Sequence, residues 1–139
     1  MIKKLLYIFI LFFLSTNLFA KSEYVKEGID LYNKNKFEDA KFKFEQDLVF
    51  NPKSELSYLY LSKIFNKQNK KNLEEKNLNT VMLLNPKNEE AIYNLVKLKL
   101  SSSDYKKSKE LNNKLKSICS TFCSKSNQLK IEIENLSKK

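Results

Sequence analysis

The sequence predicts an all-α chain, a helical solenoid of three helix-turn-helix repeats closed by a C-terminal capping helix. Three observations carry that expectation. Two similar runs, Val49-Phe50-Asn51-Pro52-Lys53 and Leu83-Leu84-Asn85-Pro86-Lys87, set Pro52 and Pro86 thirty-four residues apart. Self-similarity at that period marks stacked helical repeats, which share a core because no single unit can bury its own apolar face. Between the runs, apolar residues recur at helical spacing, as in Phe37, Ala40, Phe44 and Leu48. No Gly-rich or Pro-rich linker divides residues 21–139, so they read as one domain with repeats at about 21–54, 55–88 and 89–122.

Taken in order, the first repeat opens with a helix through Tyr24, Gly28 and Leu31. Asn33, Lys34, Asn35 and Lys36 form its polar turn, and the Phe37 stripe forms its second helix. Proline cannot continue a helix and biases the residue before it to extended geometry, so Asn51-Pro52 ends the unit. In the second repeat, Tyr58, Leu61 and Phe65 give the first stripe and Leu78 and Val81 the second. Lys71 and Glu74 stand where a tight core would want apolar residues, and Leu73 is expected to swing in as replacement. Asn72 followed by Glu75 reads as a capping box opening the second helix. In the third repeat Asn88 caps a helix with Glu89 and Glu90 in its first turn, and Ser101 to Asp104 is the turn. No proline closes this unit. A last helix at about 124–137 places Leu129, Ile133 and Leu136 on one face with polar residues elsewhere, the composition of a solenoid cap.

With Lys21 counted as position 1, Tyr24, Gly28, Leu31, Phe37, Ala40, Phe44 and Pro52 fall at positions 4, 8, 11, 17, 20, 24 and 32. In this the chain resembles a tetratricopeptide repeat, a family of paired antiparallel helices. Glu27 and Asp47 depart from its pattern at positions 7 and 27. The resemblance weakens through the second repeat and again through the third. It implies that Gly28, which costs roughly 1 kcal/mol inside a helix, faces Ala40 so that the two helices approach closely.

The amino terminus has its own logic. Lys3 and Lys4 precede a ten-residue apolar run from Leu5 to Leu14, then Ser15-Thr16-Asn17 and Leu18-Phe19-Ala20. This is the layout of a secretory signal peptide over residues 1–20, with cleavage expected after Ala20. The alternative keeps the segment as an anchor, giving a membrane-tethered accessory subunit. A spanning helix needs about 20 apolar residues. Sixteen separate Lys4 from Lys21, three of them polar. The expected location is therefore the periplasm or cell envelope, with membrane contact only if the segment is retained.

All 26 basic residues are lysine, and the net charge is +10. A basic surface favours anionic partners. Export and the lack of arginine, the best bidentate phosphate ligand, argue against nucleic acid. The lysines read as scattered along the helices. With no histidine there is no imidazole base or imidazole metal ligand. One glycine cannot build a phosphate loop, and Glu74-Glu75 and Glu89-Glu90 are sequence neighbours whose side chains diverge. An enzyme or ligand carrier is thus the disfavoured alternative; no catalytic residue, metal or cofactor is expected. Cys119 and Cys123 are too few for structural zinc. They either bridge as a disulfide that staples the turn after the third repeat or pack as two free thiols.

The resemblance implies a binding surface. In this family the first helix of each repeat lines a groove through positions 2, 5, 9, 12 and 13. Here these include Val25, Ile29, Tyr32 and Asn33; Leu59, Lys63, Asn66 and Lys67; and Tyr93, Lys97 and Leu100. The family's clamp for a peptide carboxylate needs Lys at position 5 and Asn at 9, and Val25 and Ile29 take those places. The expected activity is non-catalytic protein–protein interaction: a scaffold in the cell envelope holding, in that groove, an extended or helical segment of a protein partner that carries some acidic residues. Neither the partner nor the oligomeric state is legible in the sequence.

Overall fold

The computed structural model describes residues 23–138. They form seven helices and no strand: α1 (23–33), α2 (Phe37–Phe50), α3 (Glu55–Lys67), α4 (Lys71–Leu84), α5 (Glu89–Ser101), α6 (Tyr105–Ile118) and α7 (Cys123–Leu136). This is an all-α helical-repeat architecture. The expected export segment, residues 1–20, lies outside the described residues. No helix among the described residues is long and apolar enough to cross a membrane.

The thirty-four-residue period is written in the backbone. Positive φ occurs at Asn35, Asn69 and Ser103, with values of 58°, 55° and 56°. At each, the first helix of a repeat ends in the same pair of hydrogen bonds. Lys36, Lys70 and Asp104 N–H groups donate to Leu31, Phe65 and Lys99 carbonyls, each at 2.9 Å. Asn35, Asn69 and Ser103 donate to Tyr32, Asn66 and Leu100, each at 3.0 Å. This is the Schellman closure, in which a left-handed residue reverses the chain while satisfying the last carbonyls of the helix. Asparagine tolerates that conformation better than most residues. The second helices end in register too: Asn51, Asn85 and Cys119 donate to Asp47, Val81 and Leu115 carbonyls at 2.7, 2.7 and 2.9 Å. The third unit therefore keeps the period although it has no closing proline.

The chain divides into two compact units at Tyr60–Leu61, inside α3. In the first, Phe44 is fully buried and stacks on Tyr60 at 5.0 Å between ring centroids. Gly28 lies under the Phe44 ring: a Cβ there would sit 2.8 Å from Cε1 and 2.9 Å from Cζ. The tightest approach made possible by this glycine is thus to Phe44, not the expected Ala40, because the ring reaches across the helix pair from one turn further along α2. Asp47, the departure at position 27, is fully buried and accepts a 2.5 Å hydrogen bond from the Ser57 hydroxyl.

In the second unit, Ile92, Val96 and Leu100 of α5, Leu115 of α6, and Leu129 and Ile133 of α7 form one buried cluster. The last helix thus closes the apolar face left by the third repeat. Two expectations for α4 are corrected. Leu73 does not enter the core and is 41% exposed, because buried Glu74 occupies the inward position. The Asn72–Glu75 capping box does not form: α4 begins at Lys71, with Lys70 at the cap making no side-chain bond. Asn72 is already helical there, and the Glu75 carboxylate pairs with Lys99 at 2.5 Å instead. Asn88 does cap α5, its Oδ1 accepting from Ala91 N–H at 2.7 Å.

Candidate partner-binding surface

The first helix of each repeat was expected to present the binding residues, and burial sorts them. In the first unit Val25, Ile29 and Tyr32 are half-buried on α1, and Asn33 is exposed at its end. Val25 and Ile29 stand four residues apart, so their side chains share one face. Tyr32 is committed to packing: its ring meets Phe37 edge-on at 5.5 Å and Tyr60 at 5.2 Å. Leu59 is only 5% exposed and belongs to the interior rather than to an accessible surface.

In the second unit three expected residues already have partners on neighbouring helices. Lys63 pairs with Glu90 at 2.7 Å. The Asn66 amide donates to both Glu74 carboxylate oxygens, at 3.0 and 3.1 Å. Leu100, 8% exposed, lies in the cluster that α7 completes. Tyr93 remains half-buried, with Phe122 edge-on at 5.5 Å and the Lys125 ammonium 5.3 Å from its ring. Lys67 and Lys97 are exposed, and Lys97 lies 6.0 Å from the Tyr93 ring centre. The accessible remainder is an apolar α1 face in one unit and a Tyr93–Lys97 edge in the other.

Polar contacts between residues far apart in sequence help hold the second unit together. Burial pushes the Glu74 carboxyl above the ordinary carboxylate range, against the opposing pull of the Asn66 hydrogen bonds and the Lys71 charge. Glu89 accepts from the Ser120, Thr121 and Phe122 N–H groups at 2.7, 3.0 and 2.8 Å. The Ser120 and Thr121 hydroxyls add bonds of 2.7 and 3.1 Å. The Ser120 hydroxyl is the largest influence holding this carboxyl down at about 2; the three backbone donors reinforce it, while desolvation opposes them. The loop it grips is closed by a disulfide between Cys119 and Cys123, with Cα atoms 5.3 Å apart. Cys119 caps the end of α6 and Cys123 begins α7, so the bridge spans a turn and not a regular helix. The four-residue spacing therefore presents no obstacle. Asn112 donates to the Ser126 carbonyl at 3.0 Å and accepts from its hydroxyl at 2.9 Å, tying α6 to α7 inside the core.

No cluster of three or more histidine, cysteine, aspartate or glutamate side chains among the described residues could hold a metal ion. A hollow of about 430 Å³ at the turn into α4 is lined by five consecutive residues, Asn69, Lys70, Lys71, Asn72 and Leu73. Consecutive residues of one turn bring no groups from separate elements together, which is what a reaction or small-molecule site requires.

Neither a protein-family model nor a curated protein matches this sequence. Solved structures do. The chain is similar to the TPR2B domain of yeast Sti1, solved in a pHsp70 complex, at 12% identity with a TM-score of 0.78, covering 84% of this chain and 98% of that one. It is similar to the Yersinia enterocolitica type III secretion translocator chaperone SycD at 13% identity and a TM-score of 0.74, covering 84% and 82%. The first TPR of Spaghetti (RPAP3), bound to the HSP90 peptide SRMEEVD, aligns at 12% identity and 0.77, covering 86% and 94%. Together with the repeated turns and the buried positions, these define the class: the chain has a tetratricopeptide-type fold.

Proposed function

We propose that this chain is a non-catalytic protein-interaction module of the cell envelope that holds a segment of a partner protein on its first helices. The observation that carries the reading is the fold. Solved neighbours of this architecture include domains bound to an HSP90 peptide and in a pHsp70 complex, and a secretion chaperone. The residues refine the expected ligand. Val25 and Ile29 offer apolar contact and no cation, so the α1 face suits an internal apolar segment rather than a terminal carboxylate. Acidic preference belongs to the second unit, where Lys67 and Lys97 are exposed, since α1 carries Glu23, Glu27 and Asp30 against Lys26 alone. The envelope setting rests on the signal-like residues 1–20.

Site-specific photo-crosslinking tests this in the native cell. A crosslinker at Ile29 should trap a discrete partner in the envelope fraction, and Val25→Asp should abolish that product. A crosslinker at Lys53, exposed in the turn before α3, is the comparison. Equal products from both positions, or none from Ile29, would remove α1 as the binding face. Tyr32 and Lys63 are unsuitable for this test, because the aromatic packing of one and the Glu90 pair of the other make their substitution a stability experiment.

A further inference from the structure

Lysine is not evenly distributed over the helices. The α6 segment, YKKSKELNNKLKSI, carries Lys106, Lys107, Lys109, Lys114 and Lys116 against a single acid, Glu110. No other helix has a lysine excess greater than one. All five of these lysines are exposed, while Ser108, Asn112 and Leu115 turn the opposite face into the core. Among the described residues only Lys107 has a carboxylate partner, Glu110 at 2.8 Å. The linear sequence reads as scattered lysines; folding a polar helix onto one buried stripe gathers them.

The helix dipole favours Lys116 in the last turn but not the lysines at the start. Lys106, Lys107 and Lys109 stand in the first turns of α6, at the positive end of its dipole, where cations weaken a helix and acids support it. No acid occupies that first turn. The Asp104 carboxylate caps this end, accepting from Lys107 N–H at 3.0 Å, but one cap does not offset three cations there, and a local rule so strained points to function. The chemistry of the face then selects the occupant. It presents no exposed aromatic, no arginine and no large exposed hydrophobic, the groups that anchor protein interfaces, in which lysine is depleted. Its charges extend along about 15 Å of a single helix, and the hollow beside Lys109, shared with Lys130 and Glu134 of α7, has only about 40 Å³. Such a surface suits a plane of diffuse negative charge, to which each nearby lysine adds attraction.

We propose that the outer face of α6 is a docking surface for anionic lipid headgroups, laying this helix along a membrane surface. The proposal is independent of the partner-binding reading above.

The test is vesicle co-sedimentation at low salt with the full chain. Two charge-matched variants are compared: Lys106, Lys109, Lys114 and Lys116 to Gln, and Lys53, Lys70, Lys76 and Lys87 to Gln. Both keep the same amino-terminal residues, so apolar insertion is common to them and is read separately on neutral phosphatidylcholine vesicles. Glutamine is a good helix former, and circular dichroism checks that each variant folds. The parent should bind phosphatidylglycerol vesicles well above phosphatidylcholine and be released by salt. The α6 variant should lose at least about tenfold in affinity for them, and the control variant less than about threefold. Equal losses would show net charge acting without a docking face, and would overturn the proposal. So would an absence of preference for the anionic vesicles. Binding to soluble polyglutamate with none to vesicles would also overturn it, assigning the face to an acidic protein.

Discussion

Gly28 lets α1 lie against the Phe44 ring, and the distances show how little room remains. A Cβ at this position would approach two ring carbons within 3 Å. The ring has little freedom to yield, since Phe44 is fully buried and stacked on Tyr60. Replacing glycine with alanine in a helix gains about 1 kcal/mol of propensity, while overpacking a core costs about 1–3 kcal/mol. The second effect should win, so Gly28→Ala is expected to destabilise the first unit by about 1 kcal/mol in urea unfolding. A variant more stable than the parent would mean that the ring moves aside. The glycine itself was legible in the sequence, because nothing else could excuse it mid-helix. Its partner was not, because the repeat frame aligns positions without showing how far an aromatic side chain reaches.

At the scale of elements, the turn between α6 and α7 is held by one carboxylate. Glu89, in the first turn of α5, satisfies three consecutive backbone donors of the loop leading to α7, the last of them at the Phe122 N-cap. Its carboxyl lies near 2 in the folded chain against an ordinary 4.5. A depressed folded value means stability that is present in full above 4.5 and is lost as pH falls through that value toward 2. Hydrogen exchange of α7 amides in the parent should therefore accelerate across this window relative to pH 6, after correction for intrinsic rates. In Glu89→Gln, α7 should exchange faster than in the parent at pH 6, and this difference should shrink as the pH is lowered. A difference unchanged down to pH 2.5 would show that the charge of Glu89 does not hold the turn. The sequence marked Glu89 only as a favourable first-turn acid, since residues thirty-one to thirty-three positions away cannot be paired by local pattern. The turn at Ser103 teaches the converse. Its left-handed geometry follows the period of Asn35 and Asn69, although serine gives no strong signal for it.

For the whole molecule, the consequence of repeat architecture is that the last repeat leaves an apolar face to be covered. In the second unit α7 supplies Leu129 and Ile133 to the cluster formed by Ile92, Val96, Leu100 and Leu115. Truncation after Phe122 should uncover that cluster. The shortened chain is expected to bind a hydrophobic dye, to associate at micromolar concentration and to melt at a lower temperature than the parent. An unchanged melt without dye binding would show that the third repeat stands without its cap. The same helix limits the candidate site, because Leu100 is enclosed in this cluster and Tyr93 is contacted by Phe122 and Lys125. Of the expected surface, Val25, Ile29, Asn33, Lys67, Tyr93 and Lys97 remain at least partly accessible without being committed to an ion pair or polar contact that ties the repeats together.

By itself the sequence determined the all-α class, the seven helices, their period and their turns, because those depend on short-range chemistry: apolar spacing, asparagine before proline, and a capping side chain three residues from its donor. It also placed a last helix where a cap was needed. Only the tertiary structure decided which polar groups go inside. Asp47 with Ser57, Asn112 with Ser126, and Glu74, which exposed Asn66 reaches from the surface, fill interior positions with polar groups. A buried polar group is tolerable only with a partner, and the partners here stand eight to fourteen residues away. Tertiary packing likewise turned the α6 lysines to one exposed face. Charge in a sequence has no direction until burial of the opposite stripe supplies one.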